Sequence, residues 1–334
     1  MAKEKKKQHY VPRCYLEAWK TKDKYQTYVY NKKLKKAYLS NLHDVASERY
    51  FYDLEWSDNI SPEVCKRLGI TEETIHELNE KQIIENFFAE RIEDEFKRIL
   101  NHTINRANGM NHWEILNCWF ISDDDKNRLS FHLALQLLRV ASVRSTIERM
   151  NSIFSQLLNE LDAPQEIIDK YTLPKKELSV VHANLMLSGN IELIVNAFYS
   201  KKWLLFINRT KKPFLTSDNP IRTIPTKQHP FRSMSGLNSD GVVIVFPISP
   251  NLLLLMIDDK HSGFSVKDRR IIEINNIEYV NCYNYYFITG ESSFIFSNKN
   301  DFSLIDEVLE NNPNLFELPN IVAKWGDRII TPEV

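Results

Sequence analysis

Val242-Val-Ile-Val-Phe-Pro-Ile-Ser-Pro-Asn-Leu-Leu-Leu-Leu-Met-Ile257 is the stretch whose reading decides the fold. It holds two nearly continuous apolar runs, Val242–Phe246 and Leu252–Ile257, bounded by proline, glycine, serine, asparagine and aspartate. Runs this short are strands rather than helices, and they are far too short to span a bilayer. A strand without polar alternation is covered on both faces, so the chain must supply a layer for each side of this sheet.

Working outward, Trp203–Ile207, Phe214–Thr216, Tyr279–Tyr283, Tyr286–Thr289 and Phe294–Phe296 have the same texture, which makes residues 203–300 a strand-rich region. Residues 71–200 read as helices. Ile84, Phe88, Ile92, Phe96, Ile99 and Leu100 recur at three- and four-residue spacing on a helix starting near Lys81, and Asn111–Phe120 keeps a similar rhythm. Ser122 followed by three aspartates starts a long helix from Lys126 to Leu158, because carboxylates favour the positive end of the helix dipole. Pro164 and Pro174 bracket a connector before a further helix, Glu177 to Ser200. Residues 1–60 carry a basic segment, a short helix from Pro12 to Trp19, and a hairpin whose first strand is Tyr25–Tyr30 and whose turn is Lys32–Lys36. Residues 301–334 form a C-terminal extension. The expectation is a single α+β domain over residues 1–334. A mixed or mainly antiparallel sheet, from the C-terminal strands and the N-terminal hairpin, packs against the central helical region.

Composition narrows the function. Hydrophobic residues make up 43% and charged residues 26% of 334, a globular mixture. With only 8 glycines and no GxGxxG or GxxxxGK[ST] run, the phosphate loops of classical nucleotide-binding folds have no raw material. Cys14, Cys65, Cys118 and Cys282 are scattered, which predicts reduced thiols and a cytoplasmic protein. The N-terminus lacks the apolar core of a secretory signal, and no membrane partner is expected. Residues 1–40 hold twelve Lys and Arg against Glu4, Glu17 and Asp23, a local charge of +9 in a chain of net charge −1. That segment is read either as a polyanion-binding arm for nucleic acid or as a solubilising leader.

Four groups of residues bear on chemistry. Arg128, His132, Gln136 and Arg139 lie along one stripe of an otherwise apolar helix, which is either a solvent face or the lining of a polar cleft. Thr216-Ser217-Asp218-Asn219-Pro220 follows a strand and offers Asp218 as a metal ligand, a general base or an arginine partner, with a structural turn as the alternative. In Gln8-His9-Tyr10-Val11-Pro12-Arg13, the imidazole stands ahead of a proline-started helix, a placement that keeps it neutral; the alternative is that Tyr10, Tyr15 and Leu16 simply anchor the N-terminus onto the sheet. Glu85 and Glu93 flank the apolar stripe of their helix, on a solvated acidic face or at a cleft border.

Taken together, QHYVPRCYL at 8–16, the Glu85/Glu93 helix, the Gln136–Arg139 pair, PFLTSDNP at 213–220 and VFPISP at 245–250 resemble one family, known as domain of unknown function 4238. The likeness spans roughly residues 8–300. It implies that His9, Tyr10, Pro12, Tyr15, Gln136, Arg139, Ser217, Asp218 and Pro220 stand at motif positions. It brings no mechanism, and its bacterial and phage-related membership implies a part in host–phage conflict. Cys14 stands where a large or aromatic residue is more usual.

Two functions stay open. The first is a metal-dependent hydrolase or nuclease acting on nucleic acid or another phosphate-rich substrate. Its catalytic set would be His9, Asp218, Gln136 and Arg139, with a divalent ion on Asp218 and Glu85. Tyr10, Arg13, His132, Ser217 and Asn219 would bind substrate. The second is a non-catalytic module that uses the same polar residues for recognition. Both expect Arg139 to meet Asp218, with His9 and Gln136 at the rim of one pocket.

Overall fold

The computed structural model describes residues 6–22, 24–53, 60–69, 82–228, 234–261, 267–317, 323–325 and 328–330. The basic leader before Lys6, the expected helical residues 71–81 and part of the polar loop 226–241 lie outside the described residues.

The chain opens with strand β1 (Lys7–His9), helix α1 (Arg13–Leu16) and a 3₁₀ turn to Trp19. The hairpin β2 (Gln26–Asn31) and β3 (Lys36–Asn41) follows, then β4 (Ser47–Arg49), which pairs antiparallel with β1. Helices α2 (Pro62–Leu68), α3 (Ile83–Phe87), α4 (Glu93–Gly109) and α5 (His112–Asn117) come next. A π-helical turn, Phe88–Ile92, joins α3 to α4.

Ser122 caps α6 (Asp123–Arg139) by accepting the Asp125 N–H, as the serine–aspartate signal predicts. The single long helix expected to reach Leu158 is instead two, α6 and α7 (Ala141–Glu160). They are broken at Val140, whose ψ of 152° is extended. No proline or glycine marks that break. Helix α8 (Gln165–Tyr171) follows. The helix read over Glu177–Ser200 is likewise two, α9 (Lys175–Leu187) and α10 (Ile191–Tyr199), parted at Ser188–Asn190.

The remaining elements are β5 (Lys202–Asn208), β6 (Thr216–Ser217), β7 (Arg222–Ile224), β8 (Val243–Ser249), β9 (Leu252–Ile257), β10 (Arg270–Ile274), α11 (Ile277–Thr289), β11 (Phe294–Ser297) and α12 (Ser303–Asn311), then the hairpin β12 (Ala323–Trp325) and β13 (Arg328–Ile330). The strands expected at Tyr279–Tyr283 and Tyr286–Thr289 are a correction: both belong to α11. Asn276 caps that helix through the Glu278 N–H, and Val280, Asn284, Phe287 and Ile288 make its buried face.

Two larger sheets form beside the two-stranded pairs β1–β4 and β12–β13, and the protein is α+β. The larger has order β10-β5-β9-β8-β7, parallel only between β10 and β5. Alternation sorts its side chains into two cores. Leu205, Ile244, Phe246, Leu254 and Met256 join Leu129 and Leu133 of α6 on one face. Leu204, Val243, Val245, Leu253 and Leu255 meet Val280 and Phe287 of α11 on the other. The two-sided burial read from 242–257 is met, with α11 as the unforeseen second layer. The smaller, antiparallel sheet has order β3-β2-β11-β6, so it joins strands from both ends of the chain. Among the described residues, no single helix is long and apolar enough to cross a membrane.

Candidate functional site

The motif residues assemble into a buried polar junction. Its centre is Arg139, the last residue of α6 and almost fully buried. Its Nη2 donates to the His9 carbonyl at 2.6 Å and to Glu93 at 3.4 Å, and its Nε donates to the Tyr52 hydroxyl at 3.1 Å. The guanidinium lies 4.4 Å from the centre of the Phe88 ring, on the π-helical turn that brings Phe88 and Glu93 to the same side. One helical turn back, Gln136 donates to the Tyr10 carbonyl at 3.3 Å. Tyr15 reaches across to both sheets, its hydroxyl 2.6 Å from Thr216 Oγ1 and 2.8 Å from the Pro247 carbonyl. The N-terminal segment is thus held by its own main-chain carbonyls, which accounts for Gln136 and Arg139 of the polar stripe on α6.

That stripe is neither a solvent face nor the lining of an open cleft. Arg128 is exposed and pairs with Glu95 and Asp124, whereas His132, Gln136 and Arg139 are buried. His132 stacks on Phe96 and meets Glu95 at 3.1 Å; burial pushes its pKa down to about 4. His9 is also lowered to about 4, first by burial and then by the Arg13 and Arg139 charges, so burial rather than the expected helix N-terminus disfavours the charged ring. Its Nε2 is buried without a partner. Arg13 lies at the surface against His43 Nδ1, 2.8 Å away.

Asp218 sits elsewhere in the network. Its Oδ1 accepts the Ser293 and Phe294 N–H groups at 3.0 and 3.1 Å, which pins the start of β11. Burial raises its pKa, partly offset by those N–H groups and by Lys32 and Arg222. Ser217 bonds the Asn219 carbonyl at 2.7 Å and accepts the Asn219 N–H at 3.2 Å, the local turn anticipated as the plainer alternative. The expected Arg139–Asp218 contact is therefore corrected: Arg139 pairs with Glu93, and Asp218 lies by other cations. Tyr10 links the two regions. Its phenol is pushed up by burial and then by the Asp218 charge. Glu85 adds its field to Arg139 and Tyr52. Among the described residues, no three His, Cys, Asp or Glu side chains are grouped to hold a metal ion.

Beside this junction opens a cleft of about 380 Å³. Leu137 of α6 forms one wall, Asn219, Ile221 and Arg222 a second, and Tyr286 and Gly290 at the end of α11 a third. Arg222 is more than nine-tenths buried. Its Nη2 donates to the Glu291 carbonyl at 3.0 Å, but its Nε has no partner. A Cβ at position 290 would meet Arg222 Cζ at 2.5 Å and the Tyr286 carbonyl at 2.7 Å, so glycine is what lets the guanidinium lie there. Burial lowers Arg222 to about 10, and Asp218 and Glu291 resist that shift.

Lys32 stands behind the cleft. Its amine donates to the Gly290 and Phe287 carbonyls at 2.7 and 3.4 Å, satisfying the C-terminal end of α11. Burial, then the Arg222 charge, lowers it to about 7. Arg222 and the Lys32 amine thus both act on the buried carboxylate of Asp218. Asn219 Nδ2 bonds Ser142 Oγ and the Glu291 carbonyl, while its Oδ1 is buried without a donor. Of the residues named from sequence, only Asn219 lines this cleft. Arg222 and Lys32 were missed, although an arginine inside the apolar run Ile221–Ile224 was a visible signal.

The chain belongs to the family described as Protein of unknown function (DUF4238), whose model matches residues 7–301. No curated protein and no solved structure matches it.

Proposed function

We propose that this member of the family recognises an anionic, phosphate-bearing ligand in the cleft at Arg222. The observation that carries the reading is the side chain of Arg222, more than nine-tenths buried, in the lining of a cleft and with no carboxylate in ion-pair range among the described residues. A buried charge in that position is costly unless an anion joins it, and arginine matches phosphate geometry. Lys32, its amine lowered to about 7, adds at most a partial charge behind it near neutral pH.

Recognition is favoured over chemistry because the described lining supplies neither a carboxylate nor an imidazole nor a thiol, only the hydroxyls of Thr223, Tyr286 and Thr289. A metal-dependent hydrolase built on Asp218 and Glu85 is the weaker reading, since the Asp218 carboxylate is engaged by the Ser293 and Phe294 N–H groups. Calorimetric titration with inorganic phosphate and pyrophosphate tests the proposal. Millimolar or tighter binding is expected, with a rise in melting temperature that follows ligand concentration. Arg222→Gln should abolish both while the far-ultraviolet circular dichroism is unchanged. No binding of either anion by the native protein would refute it.

A further inference from the structure

The hairpin of β2 and β3 carries a charge pattern that the cleft does not use. From Lys24 to His43 the chain holds five lysines and no acid. Strand β3 is the outer strand of the smaller sheet, so its far edge has no strand partner among the described residues. Tyr38 and Leu39 lie on opposite sides of that strand and are 40% and 42% exposed, so β3 projects past the layers that cover either side. Lysines stand at both ends of it. Lys33 and Lys36 are exposed at the hairpin turn, where the Leu34 N–H donates to the Asn31 side chain. At the other end, the Thr21 N–H donates to the Gln26 carbonyl and the Leu42 N–H to the Tyr25 carbonyl. These bonds bring exposed Lys20, Lys22 and Lys24 to the start of β2, opposite the end of β3. None of the five pairs with a carboxylate among the described residues, whereas Glu17 and Asp44, close to that end, are engaged by Lys97 and Lys7.

At about 3.4 Å per residue, the strand separates the two lysine groups by about 20 Å. Lysines on an edge strand ordinarily guard it against pairing with another strand. That role calls for charge along the strand, but β3 carries only Lys36, at its first position, and an exposed tyrosine follows. An extended polyanion with flat groups uses every feature present: cations at both ends, an aromatic ring between them and unpaired main-chain donors. A duplex keeps its bases stacked and has none to offer Tyr38, which favours a single strand. We propose that the outer edge of β3 binds single-stranded nucleic acid, with its backbone on the two lysine groups and a base on Tyr38. This site uses no residue that lines the Arg222 cleft and does not rest on the anion reading.

Fluorescence anisotropy on the full chain tests it, with labelled single-stranded DNA and RNA of about 12 nucleotides, the matching DNA duplex, and polyglutamate as competitor. Five lysine contacts give a fall of log affinity with log salt at a slope of about −3.5, and the double variant Lys33→Ala, Lys36→Ala should reduce that slope by about 1.4. Tyr38→Ala should weaken single-strand binding roughly tenfold at unchanged slope, the loss expected for one stacked base. Arg222→Gln should leave this binding as it is, so the two proposals fail separately. Because the substituted side chains at 33, 36 and 38 are exposed, these variants should keep the native melting temperature. No binding of any oligonucleotide at about 50 mM salt would overturn the proposal. An unchanged slope in the lysine variant would move the contact to the basic N-terminus and refute the placement. Equal affinity for the duplex, indifference to Tyr38→Ala, or displacement by polyglutamate at the same charge concentration would each reduce the edge to a site for charge alone, against what is proposed.

Discussion

Replacing Arg139 by methionine removes the charge at the junction while keeping a side chain able to pack on Phe88. The cost is set by what stays behind. The His9 carbonyl loses a 2.6 Å donor in a site without water access, and such an orphaned group costs about 1–3 kcal/mol. Glu93, which is partly exposed, and the Tyr52 hydroxyl lose weaker bonds at 3.4 and 3.1 Å, adding about 1 kcal/mol between them. The sum, about 3 kcal/mol, agrees with the roughly 3–5 kcal/mol for breaking a buried ion pair from one side. Urea unfolding followed by circular dichroism would read it as a lower midpoint at unchanged slope. The double-mutant cycle with Tyr52→Phe should show coupling of about 1 kcal/mol. A loss under about 1 kcal/mol, or any gain in stability, would mean that the N-terminal segment is not held by this arginine.

Other perturbations test separate parts of the structure. Gly290→Ala forces the guanidinium of Arg222 aside, so phosphate binding should fall at least as far as in Arg222→Lys, measured by titration. Asp218→Ala removes the acceptor for two N–H groups at the start of β11, and thermal unfolding should show a loss of about 2 kcal/mol. His9, His132 and His182 are each held near 4 by burial, below their ordinary 6.5. The unfolded chain therefore binds more protons between those values, and stability should fall as pH drops from about 6.5 toward 4; a flat profile there would contradict neutral buried rings. Thiol titration should count four free cysteines after unfolding. In the native protein exposed Cys282 should react first and Cys14 last, since burial and then Glu93 push its thiol up to about 12.

The strands of the large sheet were legible because continuous apolar runs bounded by turn residues leave few alternatives. Helix α11 was not, because Tyr, Val, Phe and Ile crowd its sequence and favour strands in isolation. Its period, Val280–Asn284–Phe287, and the cap at Asn276 were the available correctives. The break at Val140 leaves no local mark, since an extended valine is ordinary anywhere. The polar motifs were rightly seen as unusual, but sequence could not say that their partners are main-chain carbonyls. That is why His9, Gln136 and Arg139 read as a catalytic set, whereas in the structure they clasp a strand end. Arg222 was passed over because a lone arginine beside a turn has no signature until Gly290, far along the chain, is folded against it.

The placement of β11 between β2 and β6 bears on how the chain comes to be made. Strand β2 is complete at Asn31, but the neighbour it pairs with, Phe294–Ser297, is added about 270 residues later; at roughly 5–20 residues per second, that is a wait of about 13–54 s on the ribosome. Throughout that interval the hairpin has one unpaired edge, and the carbonyl clasp at Arg139 can already form without it. The early half of the protein is thus a partly closed mould that receives its last strand only near the end of synthesis. A chain released before Phe294 would keep that edge open and be a target for aggregation or proteolysis.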